Sequence, residues 1–145
     1  MKHLPFFFLL CSLLCSCLSE EGYTSSADAQ LRLERDTLAL DTVLAGEPTN
    51  TYTFQVFNPH RKTLRIAGVR LALGAASPFS VNVDGSFLAN GVGEATEVAG
   101  GDSLRVFVQL NAPASDAVSP TALEDRLVFR LESGVEQQVL LTAST

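Results

Sequence analysis

Residues 51–60, Thr-Tyr-Thr-Phe-Gln-Val-Phe-Asn-Pro-His, place apolar side chains at every second position and then stop. Successive side chains of an extended chain point to opposite faces, so Tyr52, Phe54 and Val56 share one face while Thr51, Thr53 and Gln55 share the other. The Asn58-Pro59-His60 sequence that follows is turn chemistry. This spacing predicts a strand buried on one side only, and the rest of the chain repeats it.

Downstream, Leu64 and Ile66 lie in one phase and Val69, Leu71 and Leu73 in the other. An extra residue near Ala67-Gly68 is the cheapest way to bury all five, because a one-residue slip otherwise turns a strand inside out. Phe79, Val81 and Val83 form a short strand ended by Asp84-Gly85, a two-residue hairpin signal with Phe87 and Leu88 returning. Residues 103–110 give the cleanest alternation, Leu104, Val106, Val108 and Leu110 against Ser103, Arg105, Phe107 and Gln109. Leu127, Phe129 and Leu131 pair with Val139 and Leu141 across Ser133-Gly134. Upstream, Leu31 and Leu33 begin a strand, and Leu38, Leu40 and the Val43-Leu44 pair follow before the turn at residues 45–48. No stretch keeps a helical period for three turns. Seven to eight short strands over residues 31–145 predict an all-β, immunoglobulin-like antiparallel β-sandwich, without the Cys pair or the Trp of antibody domains.

The N-terminus is a different material. Lys2 and His3 precede an apolar run, Leu4 to Leu14, of signal-peptide length and too short to span a membrane. Cys11, Cys15 and Cys17 crowd its end, and the chain contains no other cysteine. A disulfide among them would close no useful loop, and a metal would find no fourth ligand nearby. Cleavage and modification remain. Residues 18–30, small and polar with one aromatic, read as a flexible tether. The formal net charge of −6 argues against nucleic acid and against an electrostatic grip on anionic lipid.

Two resemblances follow from these residues. Leu14-Cys15-Ser16-Cys17 resembles a bacterial lipobox, with Leu at −3, small residues at −2 and −1, and Cys17 as acceptor. It implies that residues 1–16 leave as a lipoprotein signal peptide, that Cys17 is lipidated, and that residues 17–30 tether the domain at 31–145. An ordinary signal peptide cut between Ser16 and Ala29 is the alternative. Two acyl chains already anchor a protein stably, at about 0.8 kcal/mol per buried methylene, and a lipobox supplies three. Glu20 and Glu21 just behind the anchor resemble the acidic export signal of Bacteroidetes-type surface lipoproteins; equally, they are a solvated tether. The second resemblance spans Leu38 to Thr142. Val43-Leu44-Ala45-Gly46, Asn58 before Leu64-Arg65-Ile66, Pro78 to Val81, and Gly100-Gly101-Asp102-Ser103 before the strongest strand are similar in order to abnormal-spindle and major-sperm-protein immunoglobulin-like domains. Such domains stand at the N-terminus of surface β-helix lipoproteins. The resemblance implies a structural or protein-binding module with no catalytic residue and no cofactor.

The residues themselves offer little chemistry. His60 sits in a turn, with no Gly-x-Ser-x-Gly elbow anywhere in the chain. The adjacent acids Glu20-Glu21 and Glu124-Asp125 read as a tether and a solvated strand start. Asn82, Asp84 and Asn90 lack a calcium-loop pattern and read as turn residues. The one basic cluster, His60, Arg61, Lys62, Arg65 and Arg70, suits an acidic partner or a lipopolysaccharide phosphate, and equally a solvated loop and strand. A sugar platform needs exposed rings. The chain has no Trp, Tyr23 lies in the tether and Tyr52 points to the core. Phe57 and Phe107 fall out of phase with their strands' core residues, either as an outward patch or beneath a loop. The expected function is therefore a lipid-anchored, non-enzymatic structural, adhesive or protein-interaction module on the outer membrane, facing the cell surface or alternatively the periplasm. Its protein or surface-polymer partner is not identified by the residues. The second expectation is a substrate-binding lipoprotein that captures glycan or peptide for uptake. A concave site with exposed aromatics distinguishes the two.

Overall fold

Two sheets face each other across one apolar layer. The computed structural model describes residues 22–114, 116 and 119–145, so the signal peptide, Cys17, Glu20 and Glu21 lie outside the described residues. The strands are β1 (Tyr23–Thr24), β2 (Arg32–Leu33), β3 (Thr37–Ala39), β4 (Tyr52–Phe57), β5 (Thr63–Leu71), β6 (Phe79–Val83), β7 (Ser86–Phe87), β8 (Val92–Gly93), β9 (Thr96–Val98), β10 (Ser103–Leu110), β11 (Ala122–Leu131) and β12 (Glu136–Ser144). One sheet runs β1-β5-β11-β12-β3, with β8 and β9 also on β5; the other runs β2-β4-β10-β6-β7. The fold class read from the sequence is the one observed.

The strongest alternations become the longest strands. Phe54, Val56, Val106, Val108, Leu110, Phe129, Leu127, Val139 and Leu141 are each no more than 1% exposed, so both inner faces are dry. Fully burying a side chain of this kind stabilises by about 1.5–3 kcal/mol, which is the main force holding the two sheets together. The expected bulge is present. Ile66 pairs with Leu131 and Gly68 with Arg130, leaving Ala67 as the extra residue. Ile66 and Val69 therefore both point inward, and Arg65 and Arg70 both point outward. The Asp84-Gly85 turn has φ of 50° and 93°, the doubly left-handed geometry of a two-residue hairpin, and Asn82 Oδ1 accepts the Gly85 N–H at 2.8 Å.

Several expectations are corrected. Leu73 is not in β5; the strand ends at Leu71, and Leu73 stands half exposed at the start of a 3₁₀ turn, Gly74–Ala76. Leu44 is 79% exposed rather than a strand residue, because the pairing of this segment with β12 ends at Val43 N–H to Ser144 O. Asp125 is buried, not solvated, and its Oδ1 accepts the N–H groups of Leu73 and Arg126. The sandwich is not wholly antiparallel, since β1 pairs with β5 and β3 with β12 in parallel.

The domain boundary also moves. Over residues 22–30 the expected tether is joined to the domain: Tyr23 and Thr24 align with Thr63 and Leu64, and Gly22 O accepts the Thr63 N–H at 3.1 Å. Leu64 has both Thr24 and Val98 as partners. β1 and β9 therefore flank β5 on opposite sides, and β1 fills the lane that β11 leaves at Leu131. Polar composition does not preclude this, because the segment contributes backbone hydrogen bonds rather than a core. Ala29 alone is buried there, and Leu31 follows, clamped by Gln137, whose Oε1 accepts its N–H and whose Nε2 donates to its carbonyl.

Candidate functional site

The basic cluster does not form one patch. His60, Arg61 and Lys62 occupy the turn between β4 and β5, which Asn58 builds from beneath. Asn58 is 1% exposed; its Nδ2 donates to Lys62 O and Val98 O, and its Oδ1 accepts the His60 N–H. Gly100 packs so closely on the turn that a Cβ there would collide with the Arg61 carbonyl. A His60 ring nitrogen, Nε2, lies 3.0 Å from the Gln30 carbonyl, so the ring ties the N-terminal segment down.

Arg65 and Arg70 belong to a different surface, the outer face of β5. The Arg65 guanidinium lies 3.4 Å from the centroid of the Tyr23 ring and within 3.8 Å of Glu97 and of Glu132. Its contact with Tyr23, and then the fields of Glu132 and Glu97, raise its pKa above the ordinary value, so it stays charged at every working pH. Arg70 forms a two-pronged pair with Glu136. These exposed pairs are screened by solvent and add little stability, but they place a carboxylate beside each arginine. Among the described residues, Arg61 and Lys62 are the cluster members without an ion pair or a side-chain hydrogen bond. Because β1 runs parallel to β5, the chain enters the domain at the end of the sheet that carries this turn.

The opposite sheet carries the second surface. Its outer face presents a groove of about 340 Å³ that includes Thr51, Ser80, Asn82, Phe87, Phe107 and Gln109. The register explains it. Phe107 pairs with Asn82 on β6, and Asn82 pairs with Phe87 on β7, so an amide lies in a row between two aromatic rings. The next row pairs Gln109 with Ser80. Phe107 is thus outward and partly open, one of the two outcomes its phase allowed. Phe57 is partly covered instead, by the Arg32 guanidinium of β2 at 4.7 Å from its ring centroid.

Phe87 is the residue sequence reasoning missed. Named only as part of the strand returning from the turn, it is 61% exposed, while Leu88 next to it is buried. The two-residue turn fixes which of the pair faces out, and counting strand phase back from Asn82 would have found it. Tyr52 is partly buried as expected, with its hydroxyl donating to Asp41 Oδ2 at 2.9 Å. Asp84 and Asn90 both have positive φ, as turn residues do.

Comparison with solved structures places this architecture. The chain is similar to an ASH/PapD-like domain of human CEP192, with a TM-score of 0.52 at 9% identity, covering 91% of this chain and 94% of that one. The fold is an immunoglobulin-like β-sandwich, as in that domain. It is also similar to part of a protein from Porphyromonas gingivalis W83 (TM-score 0.56, 13% identity, 79% of this chain and 46% of that one). A third similarity is to part of the Vibrio cholerae VesB protease (TM-score 0.53, 19% identity, 81% and 32%). This chain thus spans about a third to a half of the length of these two larger bacterial chains. No protein-family model matches the sequence, and no curated protein does.

Proposed function

We propose that this chain is a lipid-anchored cell-envelope protein whose immunoglobulin-like domain acts without catalysis, as a structural, adhesive or protein-interaction module at the bacterial surface. The observation that carries the reading is Leu14-Cys15-Ser16-Cys17 at the end of an apolar leader. The likeness of the fold to an ASH/PapD-like domain supports the second half of it. The guanidinium groups of Arg65 and Arg70 each face a carboxylate of the same sheet, which supports a solvated face over a site for an acidic partner.

The entry geometry fits an anchor. Residues 17–22 can reach at most about 17 Å when extended. A domain held at Gly22 therefore stands close to the leaflet, with the Arg61-Lys62 turn on that side. Glu20 and Glu21 fall in this short span, where an export machine reads them before any folded part intervenes.

The test uses an accident of composition. Lys62 is exposed, and Lys2, in the leader, is the other lysine of the chain. Mass spectrometry of envelope fractions is expected to find a mature N-terminus at Cys17 with acyl mass, and Cys17→Ala is expected to release the protein from membranes. A membrane-impermeant amine reagent on whole cells is expected to label Lys62 in the wild type and not in a Glu20→Ala/Glu21→Ala double variant at equal expression. An unmodified N-terminus downstream of Cys17 defeats the anchor; equal protection of Lys62 in both proteins places the domain in the periplasm.

A further inference from the structure

We propose that the groove between Phe87 and Phe107 is a binding site for a neutral sugar residue of a glycan. This goes beyond the anchoring reading and does not depend on Cys17; the groove is the concave aromatic site expected of a glycan-capturing lipoprotein, so a positive result favours that second function over a purely structural module. A pyranose has two chemical aspects, an apolar face of C–H groups and a rim of hydroxyls that each donate and accept. The groove offers both. Phe87 and Phe107 supply flat, polarisable surfaces, and an exposed ring on a soluble domain leaves apolar area in water that a C–H face would cover.

The polar groups are sorted by the bonds they already make. Asn82 uses Oδ1 on the Gly85 N–H, which leaves its Nδ2 as donor. Gln109 uses Nε2 on the Thr49 carbonyl at 2.9 Å, which leaves its Oε1 as acceptor. The Ser80 hydroxyl accepts from Asn111 Nδ2 and keeps its own proton to give. A donor, an acceptor and a hydroxyl thus lie on adjacent rows, held by strands rather than by loops, and all three are spoken for on their other side. That is preorganisation, which lowers the ordering cost of binding.

The ligand class follows from what lines the groove. No charged side chain does so. A uronate, a sulfated sugar or a phosphate would enter without a counter-charge and lose its hydration, so acidic glycans are disfavoured. The volume falls at the lower end of the range for small-molecule sites and accommodates about one ring. Contact with one ring implies millimolar affinity for a monosaccharide and relies on repeated units along a polymer for strength.

The full chain is screened against neutral oligosaccharides built from hexose and N-acetylhexosamine units, against uronic-acid oligosaccharides, and against proline-rich and apolar peptides. Binding is mapped by side-chain amide shifts in nuclear magnetic resonance. The expected result is binding of at least one neutral oligosaccharide, with shifts at the Asn82 and Gln109 amides. Phe87→Ala should weaken it about tenfold and Phe87→Trp should preserve it. Phe87 is exposed, so its truncation leaves the fold intact, and unchanged backbone shifts in the core verify this. The proposal is overturned if no neutral oligosaccharide shifts these amides at millimolar concentration, if Phe87→Ala binds as the wild type does, or if only acidic glycans or peptides occupy the groove.

Discussion

Phe129→Ala is expected to cost about 3–5 kcal/mol of folding free energy, enough to bring a domain at the lower end of ordinary stability to the edge of unfolding. Phe129 is fully buried on β11, the strand that joins β5 to β12, with Val69 and Gln137 paired to it on either side, so the cavity opens where two pairings meet and cannot be closed by moving an edge. Phe54→Ala on the opposing sheet should fall in the same range. Arg105→Ala, on the exposed face of β10, should change stability by no more than about 0.5 kcal/mol. Denaturant unfolding of the three variants separates these cases. A loss below about 1 kcal/mol at Phe129 would mean that the two sheets do not enclose a common core.

The second large effect concerns the turn under His60, Arg61 and Lys62. Asn58→Ala removes three hydrogen bonds from a nearly dry site and leaves the Lys62 and Val98 carbonyls and the His60 N–H without their partner. Each unsatisfied buried group costs about 1–3 kcal/mol, so a total of roughly 3 kcal/mol is expected after partial access of water. Asn58→Asp preserves the shape and should not rescue it, because a carboxylate cannot donate to two carbonyls. Gly100→Ala reaches the same turn from the other side, through collision with the Arg61 backbone. Thermal unfolding of all three is the measurement; an Asn58→Asp variant as stable as the wild type would show that the bonds donated to Lys62 O and Val98 O contribute nothing.

What could be read in advance depended on length. β4, β5, β10 and β11 each bury several residues of one phase, and a period of two needs several residues to declare itself. The bulge at Ala67 was legible for the same reason, since residues on both sides of it were in clear phase. β1, β8 and β9 were not legible, because segments of two or three residues carry no period and are positioned by what they pair with. The groove lay between these cases. The outward phase of Phe107 was visible, but the row Phe107, Asn82, Phe87 exists only once three strands are in register. The basic cluster failed in the opposite direction: five residues close in sequence were divided by the start of β5 into a turn and a sheet face.

The parallel pairing of Tyr23–Thr24 with β5 has a mechanical consequence. Tension applied from the N-terminal side pulls β1 along its own axis, so its few bonds are sheared together rather than opened one at a time. Once they yield, the chain from Gly22 to Leu31 can pay out up to about 30 Å of contour. The load then arrives at Leu31, which is buried and gripped by Gln137. The N-terminal segment is therefore expected to lengthen under load before the sandwich is strained. Single-molecule pulling from the N-terminus should record a small early extension ahead of the main rupture, and Tyr23→Pro, Thr24→Pro together should abolish that step while leaving the main rupture force unchanged. One rupture with no early step in the wild type would show that β1 and the sandwich yield as a unit.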